Sequence, residues 1–372
     1  MTTEIFWRLP VDGDGAALRA TQWNRGDYST LKPHPNRFTR IGGQDGYNYF
    51  DHLSQIARAA ELSGFEGLWI PQSRAGEEPQ IVASAFAREA RRLRFIVSLW
   101  TPLLSAVYTA KIANSFQRLS GGRLAWNFIT EEPHARAWHG QGLRWSIEDQ
   151  VARTGEFLDV AKGFWNDGPF TYKGRFYEVE NGGFPKSLGG ETLPTIYLSG
   201  TSDAEFELSA RHADVHVLPI APLDVIRDQI RKLDALATTH GRKLRYGIET
   251  EVVARHSDEE AWRDIRDRWE QSSPKTVSIT GSDELVGATR SFDELIGPDQ
   301  LWNGFGLVRP GAAAGLVGGY DTLANNLTEL ARAGVSTFVL SAHPHLEEAY
   351  RLGEHLLPRV RTLTAGIARH AA

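Results

Sequence analysis

Short apolar runs alternate with longer amphipathic segments along most of the 372-residue chain, and this alternation constrains the fold most strongly. Strands that alternate with helices pair in parallel through right-handed crossovers, and eight such units favour a closed barrel. The sequence therefore predicts an α/β fold, a (β/α)8 TIM barrel. An open doubly wound sheet is the alternative, but no G-x-G-x-x-G follows the first strand. The predicted strands are residues 4–10, 66–72, 92–100, 123–130, 195–200, 214–220, 244–254 and 335–343.

We expect one barrel domain over residues 1–372, with insertions at about 11–46, 166–192 and 273–334. Residues 20–48, which are rich in aromatic and basic residues, could roof a pocket or contact a second subunit. A short hairpin is expected in the second. The third contains a helix or two and the segment LWNGFGLVRPGAAAGLVGGY, a candidate lid or a rigidly packed loop.

Composition narrows the classes of partner. The net charge of -5 argues against a surface for nucleic acid or an anionic membrane, since either would need a basic face, so a small molecule is the expected partner. The absence of cysteine excludes disulfides, thiolate metal sites and a cysteine nucleophile. No apolar stretch approaches the roughly 20 residues of a membrane span. Because the first residues lack the pattern of a signal peptide, we expect a cytoplasmic protein.

Polar residues at the carboxyl ends of the predicted strands are the candidates for function, since chemistry in a TIM barrel lies at that rim. Each could equally serve as a cap or a turn residue. They are Asp12, residues 72–74, Trp100, Asn127, Thr130, Ser199, Gly200, Thr201, Ser202, Glu249, Glu251 and His343.

The stretch YLSGTSD is the most informative of these strand ends. It ends a strand in Ser199 and Gly200, and a helix begins after Thr201 and Ser202. Hydroxyls, a flexible glycine and free N–H groups at a helix N-terminus favour an anion such as phosphate. Simple N-capping by Ser202 or Thr201 is the alternative.

Glu249 and Glu251 are two residues apart on one strand, so both carboxylates point to the same side. If that side faces the mouth, their repulsion leaves one carboxyl protonated near neutral pH, as a general acid or base. The alternative is a structural ion-pair network with Arg8, Arg74 or Arg309.

The motif SAHPH ends the last predicted strand. We expect His343 to emerge at the rim and Pro344 to break the strand, with a helix that starts near His345. His343 could relay a proton or could only satisfy a nearby backbone group.

Six segments of the chain resemble the bacterial luciferase-like superfamily, specifically the alkanesulfonate monooxygenases. They are FWRLPVDGDG, RLSGGRLAWNFIT, SGTSDAEFELSARHADVH, HGRKLRYGI, LWNGFGLVRPGAAAGLVG and STFVLSAHPHLEEAYRLGE. The resemblance implies a two-component monooxygenase that oxygenates a small organic substrate with O2 through a flavin peroxide. It also implies reduced FMN (FMNH2), supplied by a separate NAD(P)H-dependent flavin reductase, and a homodimer or homotetramer.

The resemblance assigns roles to particular positions. Asn127 and Thr130 match residues that line the flavin, and Gly200 to Ser202 match a turn that holds the FMN phosphate, with Ser199 just before it. Arg309 matches an arginine on a loop that closes over anion and flavin.

Departures from the pattern of the sulfonate enzymes cluster in the expected substrate pocket. Glu249 and Glu251 replace an arginine and a histidine, and Trp100 replaces another arginine. We therefore predict a neutral or amine-bearing substrate, with apolar surface from Trp7, Trp100 and Trp302. Other departures are Arg8 for an aromatic residue, Asp12 for a histidine and His343 for a tyrosine; we assign Arg8 and Asp12 to the substrate pocket.

Other classes remain open. A deazaflavin (F420)-dependent oxidoreductase of the same superfamily would transfer hydride without oxygen, and a non-catalytic flavin-binding relative would do no chemistry. A metal-dependent barrel hydrolase is disfavoured, because the first strand lacks His-x-His, and no metal site is expected.

Overall fold

Eight parallel strands close into a barrel in the computed structural model, which describes residues 3–11, 49–73, 76–130, 146–165, 169–184, 191–271, 291–309 and 313–367. Closure occurs because the strand Arg245–Arg255 pairs with both Val215–Pro219 and Val335–Ser341. The predicted (β/α)8 barrel is confirmed, and each predicted strand overlaps one of the eight. The barrel strands are β1 (Glu4–Arg8), β2 (Gly67–Ile70), β3 (Arg94–Trp100), β4 (Leu124–Ile129), β7 (Thr195–Ser199), β8 (Val215–Pro219), β9 (Arg245–Arg255) and β12 (Val335–Ser341).

Helices pack around these strands through apolar faces. In the helix Tyr320–Arg332, the residues Leu323, Leu327 and Leu330 are buried at helical spacing. Each buried leucine contributes roughly 1.5–3 kcal/mol through removal of apolar surface from water. The helices are α1 (Tyr49–Ser63), α2 (Pro79–Glu89), α3 (Ala106–Ser120), α4 (Ile147–Gly163), α5 (Asp203–His212), α6 (Leu223–Thr239), α7 (Asp258–Gln271), α8 (Phe305–Val308), α9 (Tyr320–Arg332), α10 (His345–His355) and α11 (Leu357–Thr364).

The barrel interior is filled by side chains from its strands. Phe6 and Trp69 each pack edge-on against Tyr197, with ring centroids 6.5 and 6.1 Å apart. Ile96, Ala125, Val215, Val217 and Val339 complete this inner cluster. Because the interior is packed, a ligand has to bind above it, at the rim formed by the carboxyl ends of the strands.

Two insertions contain strands outside the barrel. β5 (Phe170–Lys173) and β6 (Glu178–Gly182) form the predicted antiparallel hairpin. β10 (Leu301–Trp302) pairs antiparallel with β11 (Gly315–Gly319), which runs parallel to the last residues of β9. The Gly- and Ala-rich composition predicted a loop over this segment, and for Gly315–Gly319 that prediction is wrong. Tertiary pairing outweighs the low strand propensity of glycine here.

No helix among the described residues is long and apolar enough to span a membrane. Most of the first predicted insertion, and residues 273–290 and 310–312 of the third, lie outside the described residues.

Candidate functional site

The carboxyl ends of the barrel strands bring most of the predicted site residues to one rim. Arg8 ends β1, Trp100 ends β3 and Ser199 ends β7. Asn127 lies near the end of β4, and Thr130 follows that strand directly. Glu249 and Glu251 lie on β9, and His343 follows β12. Asp12 and Arg74, which were also predicted here, lie outside the described residues.

The predicted phosphate turn is occupied by a carboxylate of this chain. The backbone N–H groups of Thr201 and Ser202 each donate to Glu205 Oε2 at 3.0 Å, and Ser202 Oγ donates to it at 2.8 Å. Thr130 Oγ1 donates to Glu205 Oε1 at 2.5 Å. Ser202 is also the N-cap of α5, in a capping box with Glu205. The donors that the sequence assigned to an anion therefore bind an anion that the protein itself supplies.

Glu205 is ionised in this setting. Burial by itself raises the pKa of its carboxyl, but the hydrogen bonds from Thr130, Ser202 and Thr201 outweigh burial and hold the pKa below its usual value. The turn therefore carries a negative charge at neutral pH.

His216 is hydrogen-bonded to the backbone of the turn at Gly200. Its Nε2 lies 3.2 Å from the Gly200 carbonyl oxygen and its Nδ1 lies 2.7 Å from Ser209 Oγ. A carbonyl can only accept, so Nε2 carries the proton and the Ser209 hydroxyl donates to Nδ1. Burial lowers the pKa of His216 to about 4, so the ring is neutral at pH 7. Gly200 has a φ of 129°, and a Cβ there would lie 2.1 Å from the Glu205 carboxyl carbon, so only glycine fits.

Asn127 provides a buried acceptor on β4, the strand that pairs with β7. Its Nδ2 donates to Ser98 Oγ at 2.9 Å, whereas its Oδ1 has no hydrogen-bond partner among the described residues. A buried amide oxygen without a partner costs about 1–3 kcal/mol, so a ligand N–H would find a ready acceptor there.

A second polar cluster surrounds Glu251. Arg309 Nη2 lies 2.6 Å from Glu251 Oε1, and Ser341 Oγ donates to the same oxygen at 2.8 Å. Burial raises the pKa of Glu251, but the charges of Arg309 and His345 and the bond from Ser341 outweigh it and leave the pKa below its usual value. The side chains of Arg309 and Glu251 are only 9 % and 3 % exposed, so this is a buried ion pair.

Glu249 differs from its neighbour on the same strand. Its Oε1 lies 3.2 Å from Arg8 Nε, and its side chain is 32 % exposed. Burial raises the pKa of Glu249, Arg8 offsets part of that rise, and repulsion from Glu251 adds to it. Both predicted readings of the pair thus have support: Arg8 and Arg309 form ion pairs with the two carboxylates, and Glu249 is the one that takes a proton more readily.

Two of the tryptophans predicted to line a substrate pocket belong to the core instead. Trp302 is fully buried, with its ring centroid 5.1 Å from those of Phe292 and Phe305. Trp7 is also fully buried, against Phe65. Hydrophobic burial of large rings explains both positions. Trp100 is 2 % exposed at its strand end, and its predicted contact with substrate stays a prediction.

His343 lies directly after β12, where its carbonyl oxygen accepts a bond of 3.0 Å from Arg268 Nη1. The predicted catalytic role of its ring stays a prediction.

Sequence reasoning missed Ser98, Ser341, His216 and Glu205. Of these, Glu205 had a local signal, since S-x-x-E before an apolar run is the pattern of a capping box.

A groove of about 610 Å³ lies outside the barrel between α1, α2 and α10, lined by Asp51, Arg58, Glu61 and Tyr350, and contains none of the predicted site residues. The residues described contain no group of three or more histidine or carboxylate side chains that could hold a metal ion.

Comparison with known proteins agrees with the barrel fold. The family model for luciferase-like monooxygenase matches residues 33–337. A solved riboflavin lyase, with modified FMN and its substrate riboflavin, superimposes with a TM-score of 0.74 at 17% identity, over 97% of this chain and 92% of that one. A long-chain alkane monooxygenase gives 0.73 at 16%, over 97% and 92%. An F420-dependent secondary alcohol dehydrogenase gives 0.64 at 14%, over 97% and 99%.

Proposed function

The chain belongs to the luciferase-like monooxygenase family, and from this premise we propose that it is a flavin-dependent monooxygenase. It takes reduced flavin from a separate NAD(P)H-dependent reductase and uses O2 to oxygenate a small organic substrate that carries no strong anion. The similarity to a long-chain alkane monooxygenase supports an uncharged substrate, since its name describes one.

The observation that carries the proposal is the pairing of the rim arginines. Arg309 is bonded to Glu251, and Arg8 lies 3.2 Å from Glu249. A sulfonate would have to displace these carboxylates, and each charged hydrogen bond that it failed to make would cost about 1.5–3 kcal/mol. The rim therefore disfavours an alkanesulfonate and suits a neutral or amine-bearing molecule.

The residues of the chain fit one end of FMN and not the other. Asn127 Oδ1, a buried acceptor without a partner among the described residues, fits a donor on the flavin ring. The phosphate does not fit the turn in this arrangement, because the Glu205 carboxylate takes up the N–H groups of Thr201 and Ser202. When bound, reduced flavin supplies the electrons that activate O2.

The chain's own contribution is binding and proton control. With its raised pKa, Glu249 is the rim carboxyl suited to hold and deliver a proton, while Arg8 positions it. Glu251 stays ionised and anchors Arg309 beside Ser341. His343, at the end of the neighbouring strand, is a candidate for proton relay.

The test is anaerobic titration with chemically reduced flavin, followed by mixing with air-saturated buffer and measurement of oxygen uptake and flavin absorbance. We expect saturable binding of reduced flavin and oxygen uptake that proceeds on the protein. With octanesulfonate added, we expect sulfite release at under about a hundredth of the rate of flavin oxidation, because the arginines are paired.

A matched pair of variants sharpens this test. Glu251→Gln frees Arg309 and should increase sulfonate binding, whereas Glu329→Gln frees only the exposed Arg332 and should not. Efficient sulfite release by the unaltered protein would overturn the proposed substrate class. If the protein binds and turns over reduced F420 but does not bind flavin, the deazaflavin alternative replaces the flavin assignment. If it binds flavin without oxygen uptake, it is a non-catalytic relative.

A further inference from the structure

We infer that Glu205 takes the place of a flavin phosphate at the turn Gly200–Ser202, so that this barrel prefers a flavin without a phosphate group, such as riboflavin, over FMN. The inference rests on the proposed function, namely that the rim binds flavin. It assigns to Glu205 the role of a specificity-determining residue.

The first support is the identity of the donors. A phosphate at a helix N-terminus is held by backbone N–H groups and hydroxyls, and here those of Thr201 and Ser202 all point to Glu205 Oε2 at 2.8–3.0 Å. Thr130 adds a hydroxyl at 2.5 Å from Glu205 Oε1. One carboxylate thus occupies the set of donors that a phosphate at this turn would need.

The second support is charge. Glu205 is ionised, and a phosphate next to it would face a like charge in a partly desolvated place, which disfavours both anions. The helix N-terminus that would attract a phosphate is already neutralised by this carboxylate. A flavin whose side chain ends in an uncharged hydroxyl meets no such repulsion.

The third support is that Glu205 is held in place. It is 8 % exposed, and its carboxyl lies directly against the Gly200 backbone. The hydrogen bond between His216 Nε2 and the Gly200 carbonyl fixes the turn from the other side. For a phosphate to enter, Glu205 would have to give up four hydrogen bonds at once.

The turn offers a hydrogen-bond acceptor to a flavin side chain that ends in an uncharged hydroxyl. Within the part of the chain that the structure describes, Glu205 Oε1 accepts one hydrogen bond, from Thr130, and a carboxylate oxygen can accept two. Independently of the turn, the buried Oδ1 of Asn127 on β4 has no partner among the described residues, which indicates a ligand with a donor at this side of the rim. Both groups are acceptors, so they suit a neutral donor and not an anion.

The experiment compares the dissociation constants of riboflavin and FMN by fluorescence titration at fixed ionic strength. For the unaltered protein we expect riboflavin to bind at least about tenfold more tightly than FMN. Glu205→Ala opens the turn and should shift that ratio toward FMN by at least about tenfold, and Glu205→Gln, which removes only the charge, should shift it by less. Asp203→Asn is the control: it removes a charge from the same helix N-terminus, but the Asp203 side chain is 87 % exposed, and the ratio should stay within about twofold.

Each outcome decides the matter. Tighter binding of FMN than of riboflavin by the unaltered protein, or an unchanged ratio in a folded Glu205→Ala variant, would overturn the inference and leave flavin binding intact. Failure of both flavins to bind would overturn the proposed function as well. Because the ratio for the unaltered protein needs no variant, it decides even if loss of the capping box prevents Glu205→Ala from folding.

Discussion

Glu251 shows how a single buried charge shapes the rim. It is 3 % exposed, and its Oε1 binds both Arg309 and Ser341. Removing two charges from water costs several kcal/mol per ion, so such a pair persists only with good geometry and further hydrogen bonds. Arg309 is 58 positions away from Glu251 in the chain, and their bond ties the segment before β11 to β9.

Removing either partner of this pair should be strongly destabilising. We expect Arg309→Met or Glu251→Met to lower the free energy of unfolding by about 3–5 kcal/mol, because each substitution leaves the charge of the other residue buried without its partner. The double variant should recover most of that loss. Urea unfolding of the four proteins measures the coupling energy; strictly additive losses would contradict a buried pair. Glu329→Ala, which breaks an exposed pair with Arg332, should cost under about 1 kcal/mol.

At the scale of elements, β11 extends the sheet above the barrel and brings Arg309 to the rim. It pairs with residues 251–255 of β9, and all five of its residues are buried. Gly315 makes this pairing possible, since a Cβ there would lie 2.4 Å from the Glu251 carbonyl oxygen and 2.7 Å from the Phe305 ring. The close approach of two backbones explains why glycines form a buried strand here.

Gly315→Ala should therefore push β11 away from β9. We expect a loss of about 2 kcal/mol or more in the free energy of unfolding, together with faster hydrogen exchange of the amides of residues 315–319. Gly297→Ala is the matched control, because a Cβ there meets its nearest neighbours at 3.4 Å, an ordinary contact. Equal effects of the two substitutions would show that β11 is not closely paired with β9.

At the scale of the whole molecule, two buried histidines couple stability to pH. Burial lowers the pKa of His212 to about 3, with neighbouring cations as a further cause, and lowers that of His216 to about 4. Both rings are neutral in the folded protein and charge freely when it unfolds. The unfolded chain thus binds more protons below the ordinary histidine pKa of about 6.5, so stability falls as pH falls from there toward 4.

We expect the melting temperature to drop between pH 7 and pH 5, before most carboxylates titrate, with a loss of roughly 1–2 kcal/mol of stability per histidine. Glu249 opposes this trend, because a raised carboxyl pKa adds stability as pH falls. His212→Leu should flatten this dependence, because it removes one of the two buried rings that take up a proton on unfolding. A melting temperature that stays constant from pH 7 to pH 5 would contradict two neutral buried rings.

The barrel was predictable from the sequence, since strand and helix periodicities are local and recur eight times. The turn at Gly200–Ser202 was predictable for the same reason. The Glu249 and Glu251 pair was expected to share one side of β9, because side chains alternate along a strand. Even the capping box of Glu205 lay within four residues of sequence, although a local pattern does not tell which anion the turn binds.

The sequence by itself thus determined the eight barrel strands, the helices between them and which residue types reach the rim, because the periodicity of strands and helices acts over a few residues. Only the tertiary structure decided which charges meet there. It joined Arg309 to Glu251, Arg8 to Glu249 and Thr130 to Glu205, and it placed Trp302 in the core. The two ion pairs join residues 58 and 241 positions apart in the chain, and the hydrogen bond from Thr130 to Glu205 joins residues 75 positions apart. Contacts between such distant positions follow from barrel closure and not from local sequence.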